Sequence, residues 1–138
     1  MPRVKITRRV HFCAAHRLEN PAWSDEKNLD VFGPCANPNW HGHNYDLDVS
    51  VEAELDPDTG FVMDLQDLRD LVEGRVVEDL DHKNLNLEVE WLQGVITSTE
   101  NLVVGIWRRL EPVMPDGVSL SRLVLWETER NFVEYSGE

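Results

Sequence analysis

The run from Tyr45 to Leu55 constrains this chain more than any other. Tyr45, Leu47, Val49, Val51, Ala53 and Leu55 alternate with Asp46, Asp48, Ser50, Glu52 and Glu54. Strand side chains point to opposite faces in turn, so alternation over this length means an antiparallel strand with one buried and one wet face. Such a strand needs a partner and a covering layer. Val4 to Ala15 reads as the partner, with Val4, Ile6, Val10 and Phe12 on one parity and Arg8 as the exception. The covering layer comes from two helical patterns. Leu65, Leu68, Leu71, Val72, Val76 and Leu80 recur at helical spacing behind the N-cap candidate Asp64, despite Gly74, and that helix ends near Asp81. Leu102, Val103, Ile106, Trp107 and Leu110 follow Thr97 and Glu100, which have the spacing of a capping box. Pro112 closes the second helix.

The remaining elements are shorter. Asp56 to Gly60 is a turn, Phe61 to Met63 a possible short strand, Val118–Glu127 a strand and Asn131–Tyr135 a last short one. Glu19 to Pro34 is polar and broken by Pro21, Gly33 and Pro34, so it reads as a long loop. Loops of that length in a compact domain are usually functional or disordered. The order ββααββ implies an α+β protein, and 138 residues make residues 1–138 one domain.

The net charge of −13 excludes a general phosphate-backbone footprint for nucleic acid, which needs a basic face. An anionic substrate would need a local basic patch, for which Arg3, Lys5, Arg8, Arg9 and Arg17 are the candidates. No apolar run reaches the ~18–20 residues of a membrane span, and the N-terminus lacks the apolar core of a signal peptide. Two cysteines do not make a disulfide framework, and free thiols suit a reducing cytoplasm.

Chemistry concentrates in Gly33 to Tyr45, GPCANPNWHGHNY. His41 and His43 stand at i and i+2, on one face if the backbone is extended, and two imidazoles so placed can close on one Zn²⁺. Two solvated histidines at a strand start would give the same pattern, so a third ligand decides, and His16 at the end of the first strand is the candidate. Cys13 reads as a small buried hydrophobe. His11 shares its parity and receives no role.

Several motifs in one order carry a closer assignment: FCAAHRL at 12–18, NLDVFGPCANPNWHGHNY at 28–45, VMDLQDL at 62–68, LDHKNLN at 80–86, STENL at 98–102 and WETERN at 126–131. Together they resemble 6-pyruvoyl-tetrahydropterin synthase and its relative, the 6-carboxytetrahydropterin synthase of queuosine biosynthesis, nearly end to end. The resemblance implies three zinc ligands, His16, His41 and His43, leaving an open position as catalytic zinc sites do. It implies Cys35 as the proton-transferring thiol, with Asp81 and His82 as its acid–base partners. It implies Glu127 as pterin anchor, since a carboxylate can accept two parallel N–H bonds from the amino-pyrimidinone edge. Ser98, Thr99 and Glu100 match a second pterin-contacting segment, a role compatible with a helix N-terminus. Glu127 is expected to lie far from the metal.

The fold implied is the tunnelling fold, a four-stranded antiparallel sheet with two helices on one face. Three subunits close a barrel and two trimers stack into a homohexamer, with Cys35 and the Asp81–His82 pair contributed by different chains. The activity implied is a zinc-dependent lyase acting on 7,8-dihydroneopterin triphosphate, with a 6-pyruvoyl or a 6-carboxy product. A zinc- and pterin-binding protein without turnover, or a zinc phosphohydrolase, are the alternatives. Trp40, Pro34 and Thr97 depart from the family pattern, where glycine, lysine and proline are usual.

Overall fold

In the computed structural model, which describes residues 2–138, the two alternating runs pair along their whole length. β1 (Arg3–His16) and β2 (His41–Glu54) are antiparallel, in register from Arg3 opposite Glu54 to His16 opposite His41. The chain continues from β1 through α1 (Asp25–Phe32) and a 3₁₀ turn (Gly33–Ala36) into β2. Then come α2 (Leu65–Val72), a π turn (Glu73–Val77), α3 (Glu78–Leu80), β3 (Lys83–Asn84), α4 (Thr99–Leu110), β4 (Ser119–Trp126) and β5 (Phe132–Tyr135). The sheet order is β3-β1-β2-β4-β5.

Four of these strands form the expected antiparallel sheet, and β3 extends it by two residues in parallel with Ala14 and Ala15 of β1. Val10, Phe12, Tyr45, Leu47, Val49 and Leu123 pack from the sheet against Leu68, Val72, Val76, Leu80, Leu102, Ile106 and Leu110 from the helices. The helices therefore share one core on one face. The opposite face carries the polar parity, where Arg9 donates two hydrogen bonds to Asp48 at 2.6 and 3.0 Å.

The π turn explains how one helical run keeps its core face past Gly74. Core residues at 68, 72, 76 and 80 repeat every four positions, which overshoots a 3.6-residue turn. One turn closed by i→i+5 bonds takes up that overshoot, so Val76 and Leu80 remain buried.

Three local expectations are corrected. The Glu19–Pro34 loop contains α1, capped by Ser24, which accepts from the Lys27 N–H. Only Asn28 of that helix is buried, so there was no apolar stripe to read. Ser24 before two acids, and Gly33 after the helix, were the available start and stop signals. Phe61 to Met63 is a turn rather than a strand, and Phe61 is exposed. The cap of α4 is Ser98, which accepts from the Asn101 N–H, rather than Thr97. Thr97 is buried, and its hydroxyl donates to Asn86 Oδ1 at 2.9 Å.

Candidate metal centre and substrate site

His16 continues the buried parity of Val10, Phe12 and Ala14, and His41 and His43 continue that of Tyr45 and Leu47. Because the register holds without a bulge at this end, His16 lies directly opposite His41. The small Ala14 lies opposite His43, which leaves its ring room to turn toward the other two. The ring centroids stand 4.5, 5.2 and 5.0 Å apart, and one nitrogen from each ring lies within 4.8 Å of the others.

The hydrogen bonding of these rings tests whether a metal fits. His16 Nδ1 lies 2.6 Å from the Thr97 carbonyl, an acceptor only, so this nitrogen carries the proton and Nε2 keeps its lone pair. His16 Nε2, His41 Nδ1 and His43 Nε2 are all buried without a protein partner. Unpaired buried nitrogens are costly, and three of them converging on one point is the arrangement a cation satisfies. Burial holds the pKa of His16 and of His41 below the usual imidazole value, and the neighbouring imidazoles push the same way. Neutral rings are the form that binds metal. The carbonyl behind His16 is the outer-shell partner that fixes the tautomer of a ligating histidine. The set fits Zn²⁺.

Glu127 follows directly on β4. It accepts a short hydrogen bond from the Thr99 hydroxyl, and its other oxygen is 3.8 Å from His43 Nε2. The carboxylate thus borders the three-histidine cluster, and the expectation that it lies far from the candidate metal ligands is corrected. The reason is the bend of the chain after Trp126, which turns Glu127 toward the N-terminus of α4. Thr99, Glu100, Glu127, Asn131, Phe132 and Val133 line a recess of about 180 Å³. Ser98 spends its hydroxyl on the helix cap, so of the segment 98–100 it is Thr99 and Glu100 that reach the recess.

Asp81 and His82 sit where α3 gives way to β3. The Cys13 N–H donates to Asp81 Oδ1 at 3.0 Å, and Asp81 Oδ2 is 3.0 Å from His82 Nδ1. The Cys13 amide, and then His82, hold the Asp81 carboxyl below its ordinary range. His82 is a non-glycine residue at φ 60°, with a side chain 80% exposed. Such a backbone conformation persists only where its surroundings enforce it, and here the His82 N–H donates to the Cys13 carbonyl at 2.6 Å.

Cys35 is half-buried in the 3₁₀ turn, where its carbonyl accepts from the Leu18 N–H at 2.7 Å. Within one chain the thiol gathered with Asp81 and His82 is Cys13 and not Cys35. Cys13 is half-buried on the face away from the core, so its reading as a buried hydrophobe is also corrected. The basic patch is largely spent: Arg3, Arg9 and Arg17 pair with Glu52, Asp48 and Glu19. Trp40 occupies φ 68°, the left-handed region that glycine adopts most easily, and the Arg17 guanidinium lies 5.7 Å above its ring.

Comparison with known proteins bears on the chain as a whole. The sequence profile described as 6-pyruvoyl tetrahydropterin synthase matches residues 5–138. Human 6-pyruvoyl tetrahydrobiopterin synthase is 47% identical over 134 residues, covering 97% of this chain and 92% of the human protein. The dihydroneopterin monophosphate aldolase of Pyrococcus furiosus is 34% identical over 132 residues, covering 96% of each chain. The solved structure of Caenorhabditis elegans 6-pyruvoyl tetrahydropterin synthase superimposes with a TM-score of 0.94 at 36% identity, over 100% of this chain and 98% of that one. With the sheet, the helices and the length all matched, this chain belongs to the 6-pyruvoyl tetrahydropterin synthase family of lyases.

Proposed function

We propose that this protein is a zinc-dependent lyase that converts 7,8-dihydroneopterin triphosphate to 6-pyruvoyl-tetrahydropterin with loss of triphosphate. The observation that carries the metal dependence is the convergence of three buried, unpartnered imidazole nitrogens beside a carboxylate. His16, His41 and His43 would hold the zinc, whose Lewis acidity favours ionisation of the substrate's side-chain hydroxyls. Glu127, oriented by Thr99, accepts N–H bonds from the amino-pyrimidinone edge of the pterin. Cys35 moves the proton at the first side-chain carbon. His82, oriented by Asp81, is the second acid–base group. Side-chain oxidation balances reduction of the ring from the dihydro to the tetrahydro level, and the triphosphate leaves with its bonding electrons.

One feature supports sites built between subunits, as the resemblance implies for a homohexamer. Cys35 does not join the cluster that Cys13, Asp81 and His82 form within one chain. The 6-pyruvoyl product is favoured over the 6-carboxy product because relatives 47% and 48% identical carry the former name.

Product analysis with 7,8-dihydroneopterin triphosphate tests the proposal. Equal amounts of inorganic triphosphate and 6-pyruvoyl-tetrahydropterin are expected, and only from protein carrying about one zinc per chain. Release of acetaldehyde would assign the 6-carboxy product instead. Zinc retained in full by both His41→Ala and His43→Ala would overturn the ligand set.

A further inference from the structure

Two side chains of β1, His11 and Cys13, have no part in the proposed reaction. They stand at i and i+2 on the face of the sheet opposite Val10 and Phe12. This is the same strand spacing that brings His41 and His43 together. The His82 N–H and the Asp81 carboxylate are both tied to the backbone of Cys13, at 2.6 and 3.0 Å. That double tie carries the two side chains onto the thiol: one donor atom each from Cys13, Asp81 and His82 lies within 4.8 Å of the others. The cluster opens onto a cavity of about 520 Å³ lined also by His43, Lys83 and Glu88.

We propose that Cys13, Asp81 and His82 form a second transition-metal site, separate from the three-histidine centre. A thiolate, an imidazole and a carboxylate are borderline-soft to hard donors that suit Zn²⁺ or Co²⁺ and leave a coordination position open to the cavity. Binding displaces the thiol proton to solvent, because the ligand is the thiolate. The site stands on its own geometry and does not depend on the proposed reaction. It does share Asp81 and His82 with that reaction, so metal binding there and proton transfer by His82 exclude each other.

Cobalt titration of the full-length, metal-stripped protein separates the two sites. Co²⁺ at the three-histidine centre has only nitrogen and water ligands, whereas Co²⁺ on Cys13 adds a thiolate-to-metal charge-transfer band in the near ultraviolet. The parent protein should bind two equivalents per chain and develop that band. Cys13→Ser should lose the band and one equivalent. It should keep the other equivalent, which also shows that the variant is folded. Cys35→Ser should keep both equivalents and the band. Absence of the band from the parent at several equivalents of Co²⁺, its survival in Cys13→Ser, or its loss from Cys35→Ser instead would overturn the site.

Discussion

Glu127 and Trp40 are the residues whose surroundings most change what a substitution should do. Glu127 is held by Thr99 and stands 3.8 Å from His43 Nε2, so in the proposed reaction it would serve pterin recognition and the field at the metal together. Glu127→Gln keeps the shape but turns a donor toward the donors of the pterin edge. Leaving such groups unpaired costs ~1–3 kcal/mol, so pterin affinity should fall by about fivefold to a hundredfold. Titration with sepiapterin measures this, and a parallel zinc-competition assay should show weaker but stoichiometric zinc, since the three imidazoles remain. Unchanged sepiapterin affinity would put the anchor elsewhere. At Trp40 two terms compete. Left-handed backbone costs a non-glycine residue ~1–2 kcal/mol, whereas the Arg17 contact returns only ~0.5–1 kcal/mol. Trp40→Ala loses the contact and keeps the strain. Trp40→Gly loses both, against a chain-entropy penalty of ~0.5–1 kcal/mol. The glycine variant should therefore be more stable than the alanine variant by about 0.5–1 kcal/mol in urea unfolding. The opposite order would mean that the position is unstrained.

Between elements, the β1–β2 ladder sets the site, and Arg9 with Asp48 is its clearest polar cross-strand contact. The Arg9 hydrogen bond holds Asp48 below its ordinary value of 3.8. A carboxylate with a depressed folded-state pKa contributes stability that is fully present above its unfolded value. That contribution is lost as pH falls through the folded one. Arg9 is 55% exposed, so solvent screening limits the contribution to about 1 kcal/mol or less. Asp48→Asn should lower the unfolding free energy by that amount at pH 7. The difference should close as pH falls below about 4 and shrink in high salt. Denaturant melts of both proteins from pH 7 to pH 3 check the sign. A gap that widens toward acid would contradict the assignment. The same ladder explains what was legible at this scale. The parities of residues 4–15 and 45–55 set the register that places His16 opposite His41. The helix at 25–32 carried no apolar periodicity, because its single buried side chain is Asn28, hydrogen-bonded to Asn20.

For the whole molecule, the sheet ends in two short edges, β3 and β5, and edges of this kind are removed when sheets close into a barrel. In the proposed assembly each site takes Cys35 from one subunit and Asp81–His82 from its neighbour. Cys35→Ala and His82→Ala should each abolish turnover alone, yet mixed oligomers co-assembled from equal amounts should recover roughly a quarter of parent activity, because one interface in four receives both intact halves. No recovery from verified mixed oligomers would show that each site lies within one chain. The sequence by itself determined the α+β class, the long strand pair, the two core helices and the three histidines. These are periodic or local signals, and parity alone carries His41 and His43 onto the face of Tyr45. Only the tertiary structure decided what depends on contacts distant in sequence. The Thr97 carbonyl fixes the His16 tautomer across the fold. A bend after β4 brings Glu127 to the three histidines, and the backbone of Cys13 gathers Asp81 and His82 around a thiol on the face away from the core. Each of these is a hydrogen bond or approach between residues far apart in the chain, and spacing along a sequence carries no record of such closures.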